Sequence, residues 1–335
     1  MNIVNSIIMN VGILFIMMVP GVILKKCKLV PDGFGKGISN LVLYIAQPVL
    51  VFLAYVRPYD ANILKNSAVV LLLSVIAHAI FSGITFLCYK KAPDKAKRML
   101  RFATIFSNAA FMGIPLISAV LGAEATIYAS VYNITFNMFL WSLGVYICTA
   151  HTDVDGDGIP DGLTKTKNEA SLLKALYHPV TIAAALGIIA MCLNLSNTAP
   201  AVFGTDSLLG DSLDALRGLV APLSMLVIGI RLADINFKGF FNDLYMYAAL
   251  ILRHIVLPIA TVGIILLVRL LGVNVSDVAF TVSLILAATP AASSSTMFAE
   301  KFDCDAAYVS RLVAVSTLLS ILTMPLILML VSGAI

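Results

Sequence analysis

The nine residues "SNAAFMGIP" (Ser107–Pro115) lie inside an apolar segment, yet they include a Ser-Asn pair, a glycine and a proline. Pro115 lacks the backbone N–H that a helix needs, and its ring clashes with the preceding turn. Gly113 loosens that turn further. Lipid cannot satisfy the backbone groups that such a break frees, so the break must be buried in protein or line a polar cavity. The side chains of Ser107 and Asn108 can hydrogen-bond the freed backbone or a ligand.

The surrounding chain has the composition of a multi-pass membrane protein. Of its 335 residues, 60% are hydrophobic and 12% are charged, and the mean hydropathy is +0.98, whereas soluble domains carry about 25% charged residues. The sequence has no HExxH, GxGD or phosphate-loop motif, which predicts that the protein is not an enzyme. The net charge of +4 does not indicate nucleic-acid binding, and the five scattered cysteines are interpreted as packing residues.

Ten segments are long and apolar enough to cross a bilayer, which takes about 20 residues. The first has no positive charge before it and lysines at its end, so we interpret it as a retained helix rather than a cleaved signal. The predicted spans, numbered in chain order, are residues 4–25, 36–56, 65–89, 102–121, 125–149, 173–195, 212–232, 242–270, 276–299 and 306–333.

Lysine and arginine mark the cytoplasmic side of a membrane protein. Sixteen of the 22 fall in loops on one side of the predicted spans, and four fall on the other. We therefore predict a multi-pass protein of the cell (plasma or inner) membrane with both termini outside. The loop 150–172 is then a cytoplasmic linker, and it divides the chain into residues 1–149 and 173–335, with five spans each.

Two halves with five spans each must have opposite orientations if they are repeats. Weak similarities recur in the same order in both halves. "YIAQPVLVFLA" (44–54) in span 2 resembles "GLVAPLSMLVIG" (218–229) in span 7, and "GAEATIYASVYN" (122–133) resembles "FDCDAAYVSRLV" (302–313). Spans 3 and 8 each carry a histidine. These similarities predict a 5+5 inverted repeat, a common plan among secondary transporters.

Span 9 repeats the unusual feature of span 4. It contains "AATPAASSSTMF" (287–298), in which Pro290 is followed by serines and a threonine. Two broken helices in matching positions would cross near the bilayer midplane, where their half-helix N-termini present unpaired N–H groups and partial positive charge. Such a crossing favours an anion, above all a carboxylate. The alternative is a pair of proline kinks between packed helices.

Several polar residues near these breaks are candidate ligands. An ionisable residue inside a membrane indicates function by default. The alternative for Arg253 and His254 is a structural role, and the alternative for Arg311 is that its side chain extends to the membrane interface. The predicted substrate site comprises Asn108, Gly113, Ile114, Pro115, Pro290, Ser293, Ser294, Arg253 and Arg311. Asn133 and Asn137 are four residues apart and so share a helix face. Together with Ser107 they could supply oxygens to a Na⁺ site, or they could form hydrogen bonds between helices.

The linker loop contains a separate candidate site. "DVDGDGIPDG" (153–162) places Asp153, Asp155, Asp157 and Asp161 in a D-x-D-x-D-G-x-x-D pattern that can coordinate Ca²⁺. Thr164 stands where an EF-hand has glutamate, so the pattern is incomplete. A flexible acidic linker explains the same residues.

The chain resembles the auxin efflux carrier family, which contains plant PIN exporters and bacterial malate or malonate permeases. Asn108, Phe111 and Gly113 belong to the N-x-x-F-x-G-I-P-L element that is the most specific part of the resemblance. The resemblance runs from "GVILKKCKLV" (21–30) to the last span, and the segments that carry it are "YIAQPVLVF" (44–52), "SNAAFMGIPL" (107–116), "HPVTIAAALGI" (178–188), "APLSMLVIGIRL" (221–232) and "VSTLLSILTMPL" (315–326).

This resemblance implies a fold similar to bile-acid/sodium symporters and sodium/proton antiporters. Spans 4 and 9 then cross at the substrate, spans 1, 2, 6 and 7 form a scaffold that is often dimeric, and spans 3–5 and 8–10 move as a transport unit. Asn108, Gly113 and Pro115 fall on the first crossover motif, and Pro290 falls on the second. The short loop between spans 5 and 6 is similar to that of bacterial members. Spans 3 and 9 lack a central acidic residue, which leaves coupling to Na⁺ or H⁺ open.

Two functions fit these features. The first is a secondary or facilitative carrier that moves a small organic anion, such as malate, malonate or an auxin-like acid, by alternating access. The second is a ligand sensor with the same fold and no transport. An intramembrane hydrolase would need an activated serine, and the sequence shows no obvious base for one. Beyond a possible coupling ion and Ca²⁺, no cofactor is expected, and the expected partners are the substrate, the lipid bilayer and a second copy of the chain.

Overall fold

A computed structural model describes residues 3–149, 170–199, 207–234 and 243–332. Within these ranges the regular elements are helices, and the single isolated β-bridge pairs Ser107 with Ala291. The main helices are α1 Ile3–Lys26, α2 Phe34–Tyr55, α3 Ala61–Cys88, α4 Asp94–Ile105, α5 109–121, α6 123–149, α7 Pro179–Cys192, α8 Leu208–Ala233, α9 Leu244–Leu270, α10 Asp277–Ala288, α11 Ser294–Lys301 and α12 Ala306–Ser332. Short helical turns lie at Leu172–Leu176 and Leu195–Thr198.

The described helices include seven that are long and apolar enough to cross a membrane, and α7 and α10 are shorter apolar helices. The protein is therefore a multi-pass membrane protein whose described residues fold as helices. Helical residues occupy every predicted span, although the number of crossings stays a prediction. Span 4 was predicted to begin at residue 102, but its helix begins at Asp94. The charged residues 94–101 form an amphipathic helix there, with an ion pair of 2.7 Å between Lys97 and Asp94.

Widened helical turns accompany three of the prolines. π-helical turns lie at Val42–Ala46, Ala109–Gly113 and Leu252–Val256. Each ends two residues before a proline: Pro48, Pro115 or Pro258. A proline has no N–H for the carbonyl four residues earlier, and a π-turn moves the hydrogen bonds of the preceding turn by one residue.

Helices α1 and α8 touch backbone to backbone through two glycines. A Cβ on Gly229 would lie 2.0 Å from the carbonyl oxygen of Met18, and one on Gly21 would lie 2.3 Å from that of Leu226. Small residues that permit such approach are typical of helix contacts in membranes. Helices α2 and α7 meet in a similar way, because a Cβ on Gly187 would lie 2.7 Å from the Tyr55 ring.

The buried apolar residues form two clusters, and the chain breaks between α4 and α5 and between α10 and α11 lie where the clusters meet. Ala109–Ile117 and residues 279–288 contribute to one cluster, together with α1, α2 and α8. Residues 99–106 and 291–302 contribute to the other, which is rich in phenylalanine. Both breaks therefore place polar groups in the same layer of the interior.

Candidate functional site

Two interruptions of the helical chain face each other at the centre of the structure. The first comprises residues 106–108, between α4 and α5, and the second comprises residues 289–293, between α10 and α11. Extended backbone at Phe106 and Thr289 ends the first helix of each pair. Sequence analysis predicted a break within Ser107–Pro115 and another at Pro290. The second lies where it was predicted, whereas the first lies at 106–108, ahead of Gly113 and Pro115, which are helical. We refer to residues 106–108 and 289–293 below as the paired interruptions.

The paired interruptions hydrogen-bond to each other through their backbones. The N–H of Asn108 donates to the Pro290 carbonyl at 2.8 Å, and the N–H of Ala292 donates to the Phe106 carbonyl at 2.9 Å. Each break thus satisfies backbone groups that the other has freed, as burial in an apolar interior requires. The predicted unpaired N–H groups are therefore partly occupied, since a third, that of Ala291, donates to the Ser316 hydroxyl at 2.9 Å.

Polar side chains from both breaks meet in this layer. The side-chain amide of Asn108 donates to the Ser293 hydroxyl at 3.3 Å, and both residues are almost completely buried. The hydroxyl oxygens of Ser107, Ser294 and Ser295 are buried without a hydrogen-bond partner in the protein. Buried hydroxyls are normally satisfied, so these three are available to a ligand or an ion.

Gly113 allows the two broken segments to approach closely. A Cβ at this position would lie 2.6 Å from a methyl group of Leu286 and 3.4 Å from one of Thr289. The neighbouring Ile114 and Pro115 are buried beside it, and Pro290 is buried in the opposite break. These predicted site residues therefore contribute shape and backbone geometry, whereas Asn108 and the serines contribute polar groups.

Arg253 joins the ends of the two helices that stop at the breaks. Its guanidinium is 1% exposed and donates to the carbonyls of Thr104 and Thr289 at 3.0 Å, and also to that of Ala287. These carbonyls belong to the last turns of α4 and α10, where helices carry partial negative charge. Sequence analysis assigned Arg253 to the substrate, but its partners in the structure are backbone carbonyls.

His254 extends the same network toward α12. Its Nε2 lies 2.8 Å from the Ser316 hydroxyl, and its Nδ1 lies 2.9 Å from the Thr323 hydroxyl. Because Ser316 accepts from the Ala291 N–H, its own proton is free to go to Nε2. A neutral His254 with its proton on Nδ1 satisfies this chain of bonds, which holds the second break against α12.

Two contacts that the sequence did not reveal reach the breaks from the intact helices. In α2, the Gln47 amide donates to the Ala110 carbonyl at 3.0 Å. That carbonyl has no regular partner, because the Ile114 N–H bonds to Ala109 and Pro115 has no N–H. In α8, Arg231 donates to the Ser293 carbonyl at 2.6 Å. Sequence analysis did not include Arg231 among the candidate site residues, because it lies at the end of the predicted span 212–232 and no local pattern there points to Ser293.

Three other predicted residues lie on α6 and α12, and the acidic loop lies outside the described residues. Asn133 and Asn137 are buried, the side-chain amide of Asn137 donates to the Asn133 carbonyl at 2.8 Å, and the Asn133 side-chain oxygen has no partner. The Arg311 guanidinium lies 6.0 Å from the centroid of the Tyr308 ring. Residues 153–161 fall outside the described residues. Within the described residues, no group of three or more histidine, cysteine, aspartate or glutamate side chains could hold a metal ion.

A cavity of about 270 Å³ opens beside the first broken segment. Its walls come from α2, α8 and the junction of α5 with α6, where Gly122 has a positive φ of 79° and ends one helix before the next begins. The residues that line it are Leu50, Ala54, Pro115, Ser118, Ala119, Gly122, Ala123, Thr126, Arg217, Gly218, Val220 and Ala221. Pro115 connects the cavity to the helix that starts at the first interruption.

Comparisons with known proteins show which family the chain belongs to. A family model described as "Membrane transport protein" matches residues 6–328. An "Uncharacterized transporter" from Methanothermobacter thermautotrophicus is 25% identical over 310 residues, which cover 91% of this chain and 92% of that protein. Because the family model spans nearly the whole chain, the predicted relationship is confirmed: the protein belongs to the membrane transport protein family of auxin efflux carriers and is a membrane transporter.

Proposed function

We propose that this protein is a carrier that moves a small organic anion across the membrane by alternating access around the paired interruptions. The observation that carries the proposal is the exchange of backbone bonds between the two breaks, together with the contact between Asn108 and Ser293. Non-helical backbone persists at membrane depth where it is buried or lines a solute pathway. Here it is combined with three buried hydroxyls that have no partner.

The proposed architecture is a ten-helix, 5+5 inverted repeat. In such a repeat, spans 1–5 correspond to spans 6–10 in order. A contact between span 1 (α1) and span 7 (α8) therefore requires a matching contact between span 6 (α7) and span 2 (α2). Both contacts occur, in the glycine contact of α1 with α8 and in the packing of Tyr55 in α2 against Gly187 in α7. These four helices are the proposed scaffold. The helices that carry the breaks, with α3, α6, α9 and α12, are the proposed moving unit.

In this proposal, a carboxylate is bound by side chains and amides of both breaks. Asn108 and the unpartnered hydroxyls of Ser107 and Ser294 supply donors, and the first turns of α5 and α11 supply partial positive charge. Arg253 has a different part. It neutralises the carbonyl ends of α4 and α10, so that the broken helices can remain in an apolar interior without substrate.

The coupling ion and the assembly are also proposals. The unpartnered oxygens of Ser107 and Asn133 are of the type that binds Na⁺, and Asn137 orders the turn that carries Asn133. Proton coupling remains the alternative. The scaffold helices are the proposed contact of a homodimer, and Ca²⁺ binding by Asp153, Asp155, Asp157 and Asp161 stays a prediction from the sequence.

Counterflow of labelled acid in proteoliposomes tests the function. A carrier loaded with unlabelled acid accumulates the labelled acid transiently, whereas a sensor binds it without flux. A screen of mono- and dicarboxylates, with and without a sodium gradient, identifies the substrate and the coupling together. Binding without counterflow for every acid that binds would exclude the carrier and favour the sensor.

The Asn108→Ala variant tests the site. We expect it to fold normally and to lose transport by at least about tenfold, because a donor at the proposed carboxylate is removed. Asn197→Ala, at an exposed position in the turn after α7, is the matched control and should transport as the wild type does. Unchanged uptake in Asn108→Ala would remove this residue from the binding site.

A further inference from the structure

An arginine side chain joins an intact helix to the second interruption on the predicted inner side of the membrane. The guanidinium of Arg231 donates to the Ser293 carbonyl at 2.6 Å. Arg231 lies two residues after Gly229, where α8 touches the backbone of α1, so its side chain extends from a rigid anchor. The Glu300 carboxylate, near the end of α11, attracts the same guanidinium. A residue of the proposed scaffold therefore holds the proposed moving unit through α11.

The boundary between the scaffold and the moving unit differs at its two ends. At the predicted outer end, the cavity separates α2 and α8 from α5 and α6, and its wall on α8 reaches from Arg217 to Ala221. Arg231 lies ten residues beyond Ala221, which is about 15 Å along a helix. The boundary is therefore open on the predicted outer side and bridged on the predicted inner side, as expected for one end state of alternating access.

The position of the Arg231 bond favours its reversal. Ser293 is the N-cap of α11, and the N-terminal end of a helix carries partial positive charge, which opposes a cation. Arg253, by contrast, donates to carbonyls at the C-terminal ends of α4 and α10, where the dipole favours it. The Arg231 bond is therefore the one that is more readily exchanged.

A second partner for Arg231 lies on its own helix. Asp234 follows three residues later, in helical conformation at the end of α8, and residues with this spacing are neighbours on a helix surface. The Asp234 side chain is 57% exposed and lies 3.5 Å from Lys25, which makes a shorter pair with Asp32 at 2.8 Å. When α11 moves away, the guanidinium can turn to Asp234 and to water at the membrane surface. Its release then leaves no buried charge unpaired.

We propose that Arg231 is the inner latch of the carrier. Its bond to the Ser293 carbonyl holds the state that is closed on the inner side and open on the outer side, and the bond breaks when the inner side opens. Arg231 is a positioning residue, since it acts through α11 rather than on the substrate. The inference rests on the proposed carrier function and adds to it the residue that sets the balance between the two end states.

Hydrogen exchange of the purified full-length protein tests the latch without substrate. We expect Arg231→Gln to raise amide exchange about tenfold in residues 289–301, which the latch shields, because a bond to a charged donor is lost. Exchange in residues 115–126, beside the outer cavity, should fall, since the population shifts to the state that is closed outside. A purely structural loss would not slow exchange at the opposite end of the boundary. Arg231→Lys should restore part of both changes, because an ammonium retains a donor.

Arg269→Gln is the matched control. Arg269 also donates to a backbone carbonyl, that of Val275 at 2.8 Å, but this bond stays within the proposed moving unit. Its exchange in both regions should equal that of the wild type. Exchange that changes in neither region of Arg231→Gln, or rises in both, would overturn the inference. If Arg231→Gln does not fold, Arg231→Lys should show the same opposite changes at smaller size, and wild-type exchange in that variant would overturn the inference equally.

Transport measurements separate this inference from the proposed function. In proteoliposomes with an acid that the wild type transports, Arg231→Gln should raise the half-saturation from the outer side and lower it from the inner side, changing their ratio about tenfold. An unchanged ratio would overturn the latch and leave the carrier in place. Opposite changes in exchange, in a protein that transports no acid, would support the latch and exclude the carrier.

Discussion

Two close contacts between helices are built in opposite ways in this protein. At Gly21 and Gly229, α1 and α8 are intact, and their backbones approach because neither glycine has a side chain. At the paired interruptions, both helices are broken and they exchange backbone hydrogen bonds. The first contact depends on shape alone, whereas the second depends on polar groups that could find other partners. The comparison indicates that the first contact is fixed and that the second can be rearranged.

The largest expected effect comes from filling the glycine contact. Gly229→Val should destabilise the folded protein by more than about 3 kcal/mol, since its Cβ would overlap the Met18 carbonyl and neither backbone can yield. Thermal unfolding and the yield of monodisperse protein in detergent measure this. Gly12→Val in α1 is the control, because no atom lies within 4 Å of a Cβ there. Equal stability of both variants would show that the α1–α8 contact is not fixed.

A smaller but still substantial effect is expected at Arg253. Arg253→Met keeps most of the apolar volume but leaves the carbonyls of Thr104 and Thr289 without their donor, at a cost of about 2–4 kcal/mol. Arg253→Lys should recover only part of this, because an ammonium cannot span the same set of carbonyls. The measurement is the thermal unfolding midpoint without substrate. A wild-type midpoint for Arg253→Met would contradict the role of Arg253 in joining α4 and α10.

The smallest effect is expected at Gln47, where an intact helix touches a broken one. Gln47→Leu removes the donor for the Ala110 carbonyl, but it also removes a side-chain oxygen that is buried without a partner. The two changes partly offset each other, so the expected loss of stability is about 1 kcal/mol. If this bond breaks during transport, counterflow should change in rate more than in half-saturation. A change in half-saturation alone would instead place Gln47 at the substrate.

The sequence was sufficient to predict that each of the two segments is broken, but not the residues at which the first one opens or the groups that satisfy the freed backbone. Proline, glycine and serine mark positions where a helix loses its internal bonds, and these are local properties. The groups that replace the lost bonds are distant in sequence: Arg253 donates to carbonyls 149 and 34 residues away. An arginine in an apolar span indicates a buried partner, but it does not distinguish a carboxylate ligand from the end of another helix.

Helix ends were harder to predict where charge and apolar surface alternate. The stretch from Asp94 to Arg101 has the charge density of a loop, yet it continues α4 for two more turns. In the candidate site, Arg231 was not predicted, because a cation at the end of a predicted span usually marks the membrane surface. Its contact with Ser293 arises from tertiary packing, which no local pattern records.

The bonds between the paired interruptions have a consequence for how the protein is made. Asn108 and Ser293 are separated by 185 residues, so the first half of the chain enters the bilayer long before its partner exists. Until then, the N–H of Asn108 and the carbonyl of Phe106 lack the groups that will satisfy them. These two groups of the nascent first half therefore need another hydrogen-bond partner, such as water, until the second half is translated.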